Sequence, residues 1–324
     1  MSDEPEPIAS AQVQVLRSSG DQLRGVEWRF EDRDCPICGE SRANSIPLGR
    51  RGGPAHHLSL GRETVVVRCR HCHGVYPIPT PLPERNPYLE HASQDYFRGH
   101  DSIAKVRSGE ALARQAERIL GSKGRLLEIG CGRGELLRGA ADAGWMVRGV
   151  EMTETFARDA RNDFDLPVES SPAETADALK EEWDVIVLAG ILEHVYDPMA
   201  LLSRTHAALC SGGLVFIDVP NECSFYSRAG NLYLHLTNRD WAVNLSPTFP
   251  PYHVVGFCPV SLRWALARTG FSDIRLDLYK LDGGLPARNR DVKARIEAAG
   301  LQAALILGHW LGMGAGMTCR ARRG

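Results

Sequence analysis

Apolar residues follow two rhythms along most of this chain. Short apolar runs closed by turn formers fall at 125–130, 145–151, 166–169, 183–189 and 213–219, which predicts strands. Between them, apolar positions recur at helical spacing over about 134–143, 154–162, 173–181 and 198–209. Such alternation predicts a parallel sheet covered by helices on both faces, with ligands held at the carboxyl ends of the strands. Ile103, Val106, Leu112, Ala116, Ile119 and Leu120 outline a helix leading in, and 283–312 reads as largely helical.

The amino-terminal part breaks this rhythm. Residues 1–28 are polar, rich in Asp, Glu, Pro, Ser and Gln, and predict a mobile tail. Thr64-Val-Val-Val-Arg68 reads as a strand, and Pro77-Ile-Pro-Thr-Pro-Leu-Pro83 as a semi-rigid extended linker. Tyr88, Tyr96 and Phe97 punctuate the polar stretch that follows, and Tyr96 is a candidate to line a pocket or to anchor the linker on the core.

Cys35-Pro-Ile-Cys38 and Cys69-Arg-His-Cys72 change the picture of that region. Two such pairs can place four thiolates tetrahedrally around Zn²⁺; a redox reading would explain one pair but not two. A site closed by four cysteines leaves no position for water or substrate, so its zinc supports folding and not catalysis. His71 and His73 flank Cys72 and could stand in as ligands, but with His56 and His57 they read as solvated loop residues. Nine cysteines, an odd number, behind an acidic start with no signal-peptide apolar core argue against a disulfide framework and point to a cytoplasmic protein.

With 324 residues and a net charge of −2, nothing draws the chain as a whole to nucleic acid or to an anionic membrane, and no apolar run reaches the length of a membrane span. Candidate chemistry therefore concentrates in Arg125-Leu-Leu-Glu-Ile-Gly-Cys-Gly-Arg-Gly134, where a strand runs into a glycine turn and a helix. A dinucleotide-binding turn would need glycine at position 135, where Glu135 stands.

The E-x-G-x-G-x-G pattern led by Glu128, with Glu151 ending the next apolar run, resembles motif I of the class I S-adenosylmethionine-dependent methyltransferases. The resemblance continues through 183–198, 212–221, 252–257 and 262–271, covering roughly 120–275. It implies an α/β, Rossmann-like, doubly wound seven-stranded sheet, completed by antiparallel strands at 271–280 and 317–322. The cysteine pairs ahead of it resemble the zinc ribbon of a bacterial group that includes deoxysugar C-methyltransferases. The implied organisation is a tail at 1–28, a zinc ribbon at 29–80, a linker and lead-in helix at 81–110 and a methyltransferase domain at 111–324, with 221–257 as a substrate lid.

The resemblance assigns cofactor roles to Glu128, Gly130, Cys131, Gly132 and Gly134 in the turn. A carboxylate at Glu151 can accept both ribose hydroxyls, and Met152 can pack on the adenine or simply be buried. Ser171, the Ala173 backbone or Glu174 could reach the adenine amine, and Ala189 with Gly190 lets the chain approach the methionine part. Leu192-Glu-His-Val-Tyr-Asp-Pro198 is similar to the signature of ubiquinone-biosynthesis O-methyltransferases, whose acidic cluster has been linked to a divalent cation. Gly190 replaces the first glutamate of that cluster, so no catalytic metal is expected, and Glu193 and His194 read as pocket wall.

His253 is the candidate catalytic residue, because a histidine near the transferable methyl can remove a substrate proton at neutral pH. It matches the last histidine of the deoxysugar enzymes' Y-H-E-H motif, while Tyr252 stands where they have glutamate. A small molecule, such as a sugar or another secondary-metabolite intermediate, is the expected acceptor. Two rivals are an RNA methyltransferase that docks through its ribbon, disfavoured by the lack of a Lys/Arg stripe, and a cofactor-binding protein without turnover. The sequence leaves the oligomeric state open.

Overall fold

The computed structural model describes residues 28–52, 63–84, 102–248, 252–280 and 292–324. The tail up to residue 27, His56 and His57, Tyr88, Tyr96 and Phe97, and Pro250 and Pro251 lie outside the described residues.

Seven strands form the central sheet: β6 (Arg125–Ile129), β7 (Met146–Glu151), β8 (Val168–Ser170), β9 (Trp183–Ala189), β10 (Leu209–Pro220), β11 (Phe271–Tyr279) and β12 (Gly316–Arg323). Their order is β11-β12-β10-β9-β6-β7-β8; β6 to β10 are parallel and β12 is antiparallel to both of its neighbours, so of the two strands expected to be antiparallel only β12 opposes the sheet, and β11 runs with it. The chain winds outward from β6 through β7 to β8, then returns to β9 on the other flank of β6. The crevice of a doubly wound sheet opens at that reversal, between the ends of β6 and β9.

Helices α1 (Ser102–Leu120), α2 (Glu135–Asp142), α3 (Glu154–Phe164), α4 (Pro198–Ala208) and α6 (Pro259–Arg268) bury their apolar stripes on the core. Asp197 caps α4, accepting from the Ala200 N–H at 2.9 Å, and Pro198 occupies the first turn, where its missing donor costs nothing. The remaining described helices are α5 (Phe225–Leu236) and α7 (Val292–Trp310).

Two predicted elements differ. The helix expected over 173–181 is a turn followed by one 3₁₀ turn at Asp177–Lys180. There Glu169 accepts from the backbone N–H of Asp177 and of Ala178, drawing these amides away from a helical ladder. The expected proline linker is two strands, β4 (Val75–Ile78) and β5 (Thr80–Pro83), and β5 pairs with β1 (Trp28–Glu31). Its prolines sit at sheet edges, where a missing N–H breaks no ladder. Among the described residues, β1 thus starts at Trp28 and β5 ends at Pro83.

β2 (Ser45–Arg51), β3 (Thr64–Cys69) and β4 form a second, three-stranded sheet around the cysteines. It is not a separate bead on the chain. Ile37, Val67, Cys72 and Tyr76 belong to the same buried cluster as Ile186, Leu188 and Phe257 of the main domain.

Candidate active site

β6 delivers the chain into a turn in which Gly130, Gly132 and Gly134 all have positive φ, at 74°, 55° and 81°. Side chains with a Cβ are strained there, so the three glycines let the main chain take this tight path, in which the Gly130 N–H donates to the Val150 main-chain oxygen and the Gly134 N–H to that of Cys131, each at 2.8 Å. At the end of β7, Glu151 holds the turn from the side. Its Oε2 accepts from the Gly132 N–H at 2.9 Å and its Oε1 from the Thr153 N–H at 2.8 Å. Burial raises the Glu151 pKa, against the pull of these donors. The remaining lone pairs of a carboxylate fixed in this way suit the two hydroxyls of a ribose.

The sulfur of Cys131 points away from the turn, since a Cβ on Gly149 of β7 would meet it at 2.6 Å. Only the main chain of Cys131 is left for a ligand. Glu128 is buried at 4% exposure beneath the turn, and its Oε2 has no hydrogen-bond partner. Burial pushes its pKa up to about 8, with Lys105 of α1 opposing. Glu174 is exposed and Ala173 half-buried in the turn after β8, where Ser171 donates its N–H to the main-chain oxygen of Glu151 at 3.2 Å. Met152 is likewise half-buried.

Across the crevice, Ala189 ends β9, and the Gly190 N–H, at a φ of 66°, donates to the Asp218 main-chain oxygen at 2.8 Å. Ile191 then packs over Gly130, at 2.9 Å from where a Cβ would stand. Neither Ile191 nor buried Asp218, which accepts from the Tyr279 hydroxyl at 2.7 Å, was singled out from the sequence. An acid inside the apolar run Val215-Phe-Ile-Asp-Val219 was a legible signal; Ile191 carried none.

Glu193, His194 and His253 come together here, their ligand atoms all within 4.8 Å of one another. His194 Nδ1 lies 2.9 Å from the Tyr252 main-chain oxygen, and its ring meets that of His253 edge to face at 4.9 Å between centroids. Val254 and Val255 donate their N–H groups to the Glu193 main-chain oxygen, which ties the two segments together. Both carboxyl oxygens of Glu193 and the Nε2 of His253 are buried without a hydrogen-bond partner. Burial raises the Glu193 pKa to about 8, lowers that of His194 to about 4, and with His194 beside it holds His253 well below the ordinary histidine value. Both imidazoles are therefore neutral near pH 7. The Tyr252 ring lies 5.3 Å from that of Trp28.

The four cysteines converge. Cys35 Sγ lies 3.5 Å from Cys72 Sγ and Cys38 Sγ 3.6 Å from Cys69 Sγ, with all four sulfurs within 4.8 Å of one another. Ligands about 2.3 Å from a shared Zn²⁺ stand about 3.8 Å apart, so the set fits a closed structural site. His71 and His73 are exposed beside it, and His71 meets the edge of Trp264.

The profile of the family described as "Methyltransferase domain" matches residues 100–276, more than half of the chain. A ubiquinone biosynthesis O-methyltransferase of Hydrogenovibrio crunogenus is 33% identical over 103 residues, 30% of this chain and 43% of that protein. One from Idiomarina loihiensis is 30% identical over 132 residues, covering 39% and 53%. The chain spans about half the length of these curated relatives. Among solved structures, a SAM-dependent methyltransferase from Archaeoglobus fulgidus has 23% identity and a TM-score of 0.47 over 71% of this chain and 97% of its own. Another from Mesorhizobium loti has 18% identity and a TM-score of 0.43 over 66% and 98%. The glycine turn and the acid ending β7 thus stand within the matched residues, and the chain belongs to the S-adenosylmethionine-dependent methyltransferases.

Proposed function

We propose that this chain methylates a hydroxyl group of a small molecule, such as a sugar or another secondary-metabolite intermediate, with His253 accepting the proton. One observation carries the reading: His253 presents a neutral Nε2, buried and without a partner, beside the loop that leaves β9. A neutral imidazole in that state can take a proton as the acceptor oxygen forms its new bond. The names of the curated relatives, O-methyltransferases, support an oxygen acceptor.

S-adenosylmethionine supplies an electrophilic methyl on a positive sulfonium, so the protein has chiefly to position the reactants and exclude water. In this reading Glu151 receives the ribose hydroxyls and the backbone of Gly130, Cys131, Gly132 and Gly134 cradles the adjoining part. Glu128 anchors the turn from below, Ala189 leaves room for the methionine moiety, and Met152, Ala173 and Glu174 border the adenine. The segment 221–257 supplies the acceptor side. Cys35, Cys38, Cys69 and Cys72 hold a structural zinc.

Turnover of a His253→Ala variant tests the assignment. We expect a fall of roughly 10²-fold with cofactor affinity and melting temperature unchanged; full turnover would remove His253 from the mechanism. A second reading has its own support in the two unpartnered Glu193 oxygens facing two imidazoles, a set that one divalent cation could bridge. Activity lost to a chelator and restored by Mg²⁺ or Mn²⁺ alone would favour that arrangement over proton transfer.

A further inference from the structure

Ten large apolar side chains are exposed among the described residues, and seven of them belong to α5, α7 and the residue after α7. On α5 they are Leu232, Tyr233 and Leu236; on α7 they are Ile306, Leu307 and Trp310. Both sets follow the spacing i, i+1, i+4, so each helix turns one apolar face outward. Leu311 extends the second set. Leu236 is 75% exposed and Trp310 81%, far beyond the half-burial usual for such residues.

The two helices are neighbours. The Phe225 N–H donates to the Met313 main-chain oxygen at 3.1 Å, and a Cβ on Gly308 would stand 3.0 Å from the Phe225 Cβ. The inner side of α7 is already used, with Leu305 at 5% exposure and Gly308 buried. A helix that is apolar inside and outside is built to be covered on both sides.

We infer that this α5/α7 face is the contact between two copies of the chain, paired about a two-fold axis. Two features select a second copy as the occupant. Summed over the two helices, the exposed fractions leave on the order of 800 Å² of surface on these apolar residues, about what each partner contributes to a standard interface. Self-pairing also brings a patch against itself, which like charges would oppose. No Asp, Glu, Lys or Arg occurs from Ala229 to Asn238 or from Ala298 to Cys319. The same absence of cations disfavours an anionic lipid surface, which is held by Lys and Arg set among the apolar residues.

Sedimentation velocity of the full chain at micromolar concentration, on wild type and on Leu236→Glu and Trp310→Glu, tests the pairing. Wild type should sediment at twice the chain mass, and each variant at the single mass with the circular dichroism of the folded chain retained, since within one copy both side chains face solvent. A wild-type monomer, or a dimer that both variants leave intact, would overturn the inference. So would a wild-type monomer that floats with phosphatidylcholine/phosphatidylglycerol vesicles, which would assign the face to lipid.

Discussion

The guanidinium of Arg51 donates from Nε to the main-chain oxygen of Leu245 at 2.6 Å, and further to Asn244 and Val243. Arg51 ends a strand of the cysteine-bearing sheet, whereas Leu245 belongs to the segment that leads to His253. Gly49 in the same strand lies so close to that segment that a Cβ would stand 2.4 Å from the Trp241 carbonyl. Farther along, Val75 and Gly256 exchange two backbone hydrogen bonds at 2.9 and 2.7 Å. The amino-terminal sheet therefore grips the chain on both sides of His253.

Loss of that grip should show on the acceptor side. Arg51→Ala removes a half-buried cation that satisfies three carbonyls, at a cost of about 1–3 kcal/mol for groups left unpaired. We expect KM for the acceptor to rise and S-adenosylmethionine affinity to stay near wild type. Steady-state kinetics beside titration calorimetry separates the two, and an equal loss of both would place Arg51 in the general fold.

One zinc per chain is expected by elemental analysis of protein purified without chelator. Cys35→Ser combined with Cys72→Ser should abolish occupancy and lower the melting temperature, because Ile37 and Tyr76, packed around the cysteines, also complete the main core. Full zinc occupancy in that double variant would refute the assignment of the ligands.

Cofactor affinity should depend on the turn and its acid. Gly132→Val strains a position with φ of 55° and fills the space where the backbone meets the ligand. Glu151→Ala leaves ribose hydroxyls without an acceptor, and we expect binding roughly 10–100-fold weaker from a penalty of about 1–3 kcal/mol. Calorimetric affinities matching wild type in both variants would show that the cofactor lies elsewhere.

Glu128 should make the protein less stable as pH rises. Its folded pKa, about 8, is raised above the ordinary carboxyl value of 4.5, so between these the folded state keeps a proton that the unfolded state has released. Stability then falls from pH 4.5 towards pH 8, by at most about 1.4 kcal/mol per unit, and levels off above. Glu128→Gln removes this slope, so its melting temperature relative to wild type should be higher at pH 8 than at pH 5. Parallel pH curves for the two proteins would show that the carboxyl is not held neutral.

Local patterns settled the scaffold and the glycine turn. Runs of apolar residues ending in glycines, and an acid closing the following strand, need only neighbouring positions to be read. The turn of Gly130 to Gly134, Glu151 at the end of β7 and the strand alternation were accordingly legible in the sequence, as were the two cysteine pairs, whose spacing already encodes a half-site each. The proline strands β4 and β5 were not, because a proline's fitness for a strand depends on whether its vacant donor side faces an edge, which pairing with β1 decides. Nor could spacing show that Glu193, His194 and His253 share one enclosure, or that Arg51 spans nearly two hundred residues to hold Leu245. Those relationships set the burial, and burial sets the protonation of each group. Charge states around His253 are therefore a product of tertiary packing, while the glycine turn is written in consecutive residues.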